Sequence, residues 1–142
     1  VFIVKHKQDV ARQEAEIARM EQQRQEILAN ITSLVEEADR LKKIGLSKEE
    51  DNYELKLIDA FNTYQKAEQI SESNVGLNYP VDRIEKKKEE VIAALDSAKH
   101  ELATQSSQLS EIGEEEMARS YSERVKKVED FINKNKVQNE SK

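Results

Sequence analysis

VDRIEKKKEEVIAALDSAKHELATQSSQLSEI, residues 81–112, is the stretch of sequence that decides the fold. Its apolar residues recur alternately three and four positions apart, which places them on one stripe of an α-helix. Seven of the ten stripe positions carry Val, Ile or Leu and one carries Ala, while Lys88 and Gln105 are polar. Residues 80–112 are therefore predicted to form an amphipathic helix that buries this stripe against other helices. The ten positions are Val81, Ile84, Lys88, Val91, Leu95, Ala98, Leu102, Gln105, Leu109 and Ile112.

A second stripe with the same spacing runs through the N-terminal third of the chain and predicts a helix over residues 7–44. Gln13 and Arg24 occupy its two polar positions, and Gly45 follows at the place of a C-cap glycine. The apolar members of this stripe are Val10, Ile17, Met20, Ile27, Ile31, Leu34, Ala38 and Leu41.

Two shorter helices are predicted at 47–70 and 114–134. Ser47 and Glu50 have the spacing of a capping box, in which each side chain accepts from the other residue's backbone amide. The apolar face of the 47–70 helix is wide enough to contact two neighbours. It comprises Tyr53, Leu57, Ala60, Phe61, Tyr64 and Ala67, whereas the 114–134 helix presents Ala118, Tyr121, Val125, Val128 and Ile132.

The connections complete the predicted topology. Residues 71–79 form the one long loop, and Pro80 lies in the first turn of the next helix, where its missing N–H costs nothing. Short turns at Gly45 and Gly113 make the helices that they join antiparallel. The sequence predicts an all-α single domain over residues 1–142, an elongated antiparallel helical bundle or coiled coil, with a frayed tail at 134–142.

The amino-acid composition favours helices and disfavours nucleic acid as a binding partner. The chain has 3 Gly, 1 Pro and no Cys among 142 residues, and 37% of its residues are charged. Helix interiors exclude Gly and Pro, and without cysteine there is no disulfide, thiolate nucleophile or Cys-based metal site. The net charge of −6 disfavours general nucleic-acid binding, and no stretch has the ~20 apolar residues of a membrane span.

Residue patterns that carry catalytic or metal chemistry are not found in the sequence. His6 and His100 are the only histidines, and neither has the spacing of a zinc or di-iron helical site. No glycine-rich phosphate loop occurs. We therefore expect no enzyme activity, no cofactor and no metal.

Lysines in the third helix offer two interpretations. The run at 86–88 resembles a nucleic-acid or lipid-headgroup patch, but Asp82, Lys86 and Glu90 have ion-pair spacing, which favours a solvated face. Arg24 and Lys88 occupy stripe positions, where the side-chain stem packs while the charge reaches solvent. The alternative is that such a residue specifies the partner or the pairing register.

Helix lengths leave the start of the first helix with little cover, because the second helix is too short to reach it. Either the third and fourth helices cover this region, or residues 1–25 project as a stalk and pair with a second copy of the chain. The second alternative is favoured. Candidate positions for a partner or dimer contact are Val10, Ile17, Met20 and Arg24.

The sequence therefore predicts a non-enzymatic helical interaction module: a spacer, scaffold or assembly segment that binds protein partners or itself. Two alternatives stay open, an extracytoplasmic sensor bundle of a membrane receptor and a helical hairpin insert of a transport adaptor. Residues 1–4, Val-Phe-Ile-Val, have two interpretations: the last turn of a membrane anchor that precedes Val1, or an apolar end that packs on the bundle, which is favoured. The compartment is not otherwise indicated.

Overall fold

The computed structural model describes residues 2–140, and the side chains of residues 5–136. It consists of four α-helices, α1 (Phe2–Ser47), α2 (Tyr53–Glu72), α3 (Val81–Glu111) and α4 (Glu115–Glu140). A 3-10 turn, Val75–Leu77, lies between α2 and α3, and the described residues include no strand. Close packing joins α1 to α2, α2 to α3 and α3 to α4. The prediction of an all-α helical bundle is confirmed.

The core is centred on α2, as its wide apolar face predicts. Phe61 and Tyr64 are the largest fully buried side chains of the described chain. The rings of Phe61 and Phe131 in α4 meet edge to face, with centroids 5.3 Å apart. α2 thus contacts all three other helices, whereas its apolar face was predicted to contact two. The same core includes Ile31 and Ala38 of α1, Val91 and Leu95 of α3, and Val128 of α4.

Gly45 is not the C-cap that its position suggested. It is a buried residue inside α1, which continues to Ser47. A Cβ added at Gly45 would lie only 2.6 Å from Leu57 Cγ. Only glycine therefore lets α1 and α2 approach this closely, and the helix reverses three residues later at Lys48, where φ is 58°.

The predicted capping box at Ser47 is also wrong. The Ser47 hydroxyl donates to the carbonyl of Ile44 at 2.7 Å and accepts from the Glu49 amide at 3.4 Å, so it closes α1 rather than opening α2. α2 begins at Tyr53 instead of Ser47, after Asn52. Because α1 continues to Ser47, the chain reverses within the five residues 48–52 that separate it from α2.

The end of α2, both ends of α3 and the start of α4 lie within two residues of prediction, whereas α1 begins five residues earlier than predicted. α2 continues to Glu72, and Pro80 directly precedes α3, whose bounds match the predicted 80–112 within one residue. α4 extends to Glu140 and is longer than the predicted 114–134. Its buried Asn135 donates from Nδ2 to the carbonyl of Phe131 at 2.8 Å, which accommodates an amide in the core. Residues 141–142 lie outside the described part.

Lys88 does not extend to solvent, contrary to expectation. Its side chain is 9% exposed and that of Glu68 in α2 is 3% exposed, with Nζ 3.1 Å from Oε1. Lys88 Nζ also lies 5.0 Å from the Phe61 ring centroid. The preceding Lys87 donates to Asp39 of α1 at 3.0 Å. Two of the three lysines at 86–88 therefore join helices, rather than belonging to a solvated face.

A second ion pair, between a buried carboxylate and a partly buried guanidinium group, joins α2 to α4. Arg124 donates from Nε and Nη2 to the two carboxylate oxygens of Glu54, each at 2.6 Å. Glu54 and Glu68 lie seven residues on either side of Phe61, on the same face of α2. Carboxylates at apolar stripe positions are the sequence signal that could have revealed both pairs.

Candidate protein-interaction surface

The first part of α1 whose side chains the structure describes lies outside the packed bundle. α2 has 20 residues against the 46 of α1, and Ile27 is the first of the described side chains of α1 that is partly buried. Every residue from 5 to 26 is exposed. This region, here called the projecting segment, is ~33 Å long at the α-helical rise.

Its composition explains why the projecting segment is helical without tertiary cover. Residues 11–28 are mostly Ala, Glu, Gln and Arg, which are strong helix formers, and they include no Gly or Pro. The Gln25 side chain donates to Glu21 one turn earlier at 3.1 Å. The packed half of α1 also supplies a helix to extend, so the unfavourable nucleation step is avoided.

One face of the projecting segment is apolar. Ile17 is 66% exposed, Met20 61% and Val10 38%, and these three residues form what we call the apolar stripe. They follow the heptad spacing that continues into buried Ile31 and Ala38. A seam that is covered by helices in the bundle therefore continues uncovered beyond it.

A groove lies where the projecting segment leaves the bundle. It encloses ≈ 470 Å³ and brings Ile17, Met20 and Arg24 together with Ile27 of α1 and Leu77 of the 3-10 turn. Gly76 is also part of the lining, and no atom lies within 4 Å of the position of its missing Cβ. The groove is therefore open above the turn.

The borders of the apolar stripe are acidic. On the heptad that places Val10 and Ile17 at the same position, the six flanking positions are Lys7, Asp9, Glu14, Glu16, Glu21 and Gln23. Four of the six are carboxylates, and all six are exposed. Arg19 approaches Glu16 at 3.6 Å, but both side chains are largely in water, so this pair neutralises little of the border charge.

Three of the four candidate residues are brought to one place. Ile17, Met20 and Arg24 line the groove, whereas Val10 lies farther along the same face of α1. The 3-10 turn is the part of the surface that the sequence did not reveal. Its signal was the apolar pair Val75 and Leu77 on either side of a glycine, inside a loop that is otherwise mostly polar.

Other surface features fit a ligand less well. A larger concavity of ≈ 690 Å³ between α1 and α2 is lined by polar and charged side chains such as Glu37, Asp59 and Lys66. His100 is exposed and approaches Asp96 at 3.7 Å. Within the described residues, no group of three or more His, Asp or Glu side chains is arranged to bind a metal ion.

Comparison with known proteins gives no relative. No protein-family model, no curated protein and no solved structure matches this chain. None of the helices in the described part combines the length and apolar character needed to cross a bilayer. The side chains of residues 1–4, on which the expectation of an anchor rests, lie outside the described side chains.

Proposed function

We propose that this chain is a non-enzymatic helical interaction module, in which the projecting segment binds a protein partner. The observation that carries the proposal is the exposure of Ile17 and Met20, at 66% and 61%, on one face of an otherwise polar helix. Burying such side chains against a partner helix is worth roughly 25 cal/mol per Å² of apolar surface removed from water. Helix against helix is a common mode of recognition for a face of this kind.

The bundle has a separate role in this proposal, which is to hold the segment in place. The core contacts of Ile31 and Ala38 and the ion pair of Asp39 with Lys87 hold the packed half of α1 against the bundle, and the exposed half continues it as one helix. A pre-formed helix loses less conformational entropy on binding than a disordered segment. This arrangement supports a spacer, scaffold or assembly role.

A sensor function has weaker support. It was suggested by the apolar residues 1–4, whose side chains the structure does not describe, and by the wide face of α2 as the lining of a small pocket, but Leu57, Phe61 and Tyr64 of that face are buried in the core. The apolar surface available to a partner lies instead on α1.

The test compares two double variants of the full chain that each add two carboxylates. Ile17→Asp with Met20→Asp places them on the apolar stripe, and Ala15→Asp with Gln22→Asp places them on the opposite, exposed face. We expect both variants to keep the helical content and melting temperature of the parent, because none of the four residues is buried. Crosslinking to partners or to a second copy should be lost only in the stripe variant. Equal crosslinking by both variants would show that the stripe is not the contact surface.

A further inference from the structure

The charges at the borders of the apolar stripe restrict which helix can bind there. Flanking positions in a helix pair lie next to the flanking positions of the partner, and opposite charges there set partner choice and orientation. Here Asp9 and Glu16 lie on one border and Glu14 and Glu21 on the other. Both borders therefore attract cations, whichever direction the partner helix runs.

A second copy of the chain meets like charge in parallel pairing. In register, Asp9 of one copy faces Glu14 of the other, and Glu16 faces Glu21, on both sides of the pair. Arg24 would also lie opposite Arg24 inside the seam. The parallel homodimer thus opposes carboxylates at its edges and guanidinium groups in its core.

Antiparallel pairing of two copies is little better. The register that seats Ile17 against Met20 of the other copy places Glu14 opposite Glu21, and the symmetry of the pair repeats this contact. Sliding by one heptad brings Lys7 opposite Glu21 but seats Ile17 against Gln13. Either the charges or the apolar contacts are mismatched.

From this charge pattern we infer that the partner is an amphipathic helix whose apolar seam is bordered by lysine or arginine, rather than a second copy of this chain. The inference rests on the proposed function of the projecting segment. The groove at the base accommodates the partner's apolar side chains between Ile27 and Leu77. Arg24, exposed at the edge of this groove, selects an acceptor group on the partner at one position of the seam.

An anionic membrane surface is disfavoured by the same charges. Helices that lie on such a surface carry Lys or Arg along the border of their apolar face. The border positions here carry four carboxylates and one lysine, Lys7. The negative border therefore favours a basic helix over an anionic lipid surface.

Two synthetic helical peptides of about three heptads test the inference. Both have leucine at the seam positions, and they differ only at the flanking positions, which are all Lys in one peptide and all Glu in the other. Peptides with one charge at every flank repel each other and stay monomeric. We expect the full chain to bind the Lys-flanked peptide ~10-fold more tightly than the Glu-flanked one at low salt, and the difference to shrink at high salt.

Charge-reversal variants of the full chain complete the experiment. Glu14→Lys with Glu21→Lys should remove most of the peptide preference, because one border becomes basic while Asp9 and Glu16 keep the other acidic, whereas Glu36→Lys with Glu129→Lys, at exposed positions outside the stripe, should retain it. Equal binding of both peptides that is lost in Ile17→Asp with Met20→Asp would overturn the charge inference and leave the interaction surface intact. Binding of neither peptide, together with self-association that depends on Ile17 and Met20, would overturn it in favour of a homodimer. If neither peptide binds and the chain does not self-associate, both the inference and the proposed surface are wrong.

Discussion

The pair formed by Lys88 of α3 and Glu68 of α2 lies in the core. Removing one partner of a buried ion pair is strongly destabilising, because the other charge stays buried without compensation. We expect Lys88→Met to lower the free energy of unfolding by ~3–5 kcal/mol, because it removes the ammonium group that pairs with a buried carboxylate. Lys88→Met combined with Glu68→Leu should restore most of that loss, since apolar side chains of similar size then fill the site. Urea denaturation of the single and double variants measures the difference. A loss below ~1 kcal/mol for Lys88→Met would indicate that the ammonium is in water.

Gly45 and Gly76 form a matched pair for testing close helix packing. Alanine is the better helix former by ~1 kcal/mol, so Gly45→Ala should stabilise α1 if space permitted. A Cβ there would lie 2.6 Å from Leu57 Cγ and 3.2 Å from the Leu57 backbone nitrogen, so α1 and α2 must separate. We expect a net loss of ~1–2 kcal/mol in thermal or urea unfolding. Gly76→Ala, with no atom within 4 Å, should change stability by less than ~0.5 kcal/mol.

Tyr53 connects stability to alkaline pH. Burial, together with its hydrogen bond of 3.1 Å to Glu101, raises the pKa of the Tyr53 hydroxyl to about 12. Because the unfolded value is ~10, the stabilisation from this hydroxyl is fully present below about pH 10 and is lost as the pH rises through 12. The parent should exceed Tyr53→Phe in stability by ~1 kcal/mol near neutral pH.

The gap between the parent and Tyr53→Phe should then close as the pH rises. Comparing the two proteins removes the contribution of lysines, which lose charge over the same range in both. Urea unfolding midpoints measured from about pH 8 to 12 test this expectation. A gap that stays constant across that range would contradict a raised pKa for Tyr53.

At the scale of the helices, the periodicity of apolar residues predicted the positions of helices that local sequence determines. It did not predict the helix ends that depend on tertiary contacts. The stripe from Val81 to Ile112 located α3 to within one residue, since each position contributes to a spacing that only a helix satisfies. The end of α1 was misplaced because a glycine is suited both to a helix C-cap and to a close contact between helices, and the sequence around Gly45 does not distinguish the two. Only the position of Leu57 distinguishes the two, and it is remote in sequence.

The candidate surface divides in the same way. Ile17, Met20 and Arg24 were found from the stripe because they share one helix face. Leu77 and Gly76 were missed because their place beside Ile27 depends on how the loop after α2 folds back toward α1. Lys88 was misjudged because whether a seam lysine extends to solvent or pairs in the core depends on what faces it, here Glu68.

Substituting proline at one position in the bundle and at one position in the projecting segment tests which helices contribute to the stability of the bundle. Ala18 in the projecting segment and Ala93 in α3 are both exposed alanines inside helices. Proline in a helix interior costs ~3 kcal/mol or more. In Ala93→Pro this cost should lower the stability of the whole bundle. In Ala18→Pro it should reduce the helical circular dichroism signal while the melting temperature of the bundle stays the same, because the residues around it bury nothing. A similar fall in melting temperature for both variants would show that residues 5–26 pack against something.

At the scale of the whole molecule, the fold consists of a bundle that contains the stabilising contacts and a helical segment that extends from it. Contacts that cross the bundle, such as Arg124 with Glu54 and Phe61 with Phe131, involve α2 and α4, while the ion pair of Lys87 with Asp39 joins α3 to the packed half of α1. All of these groups lie beyond residue 26. The bundle should therefore unfold as one cooperative unit that does not include the projecting segment.

Removing residues 1–24 tests this division through the denaturant dependence of unfolding. The slope m scales with the surface exposed on unfolding, so deleting about a sixth of a uniformly packed chain would lower it by a similar fraction. Here residues 5–24 are already exposed when folded, so m and the unfolding midpoint should both stay close to those of the full chain. Binding of the Lys-flanked peptide should be lost in the same truncated protein, since Val10, Ile17 and Met20 are gone. A truncated protein with a clearly smaller m would mean that the N-terminal half of α1 contributes to the packed core, and the apolar stripe could not then be free for a partner.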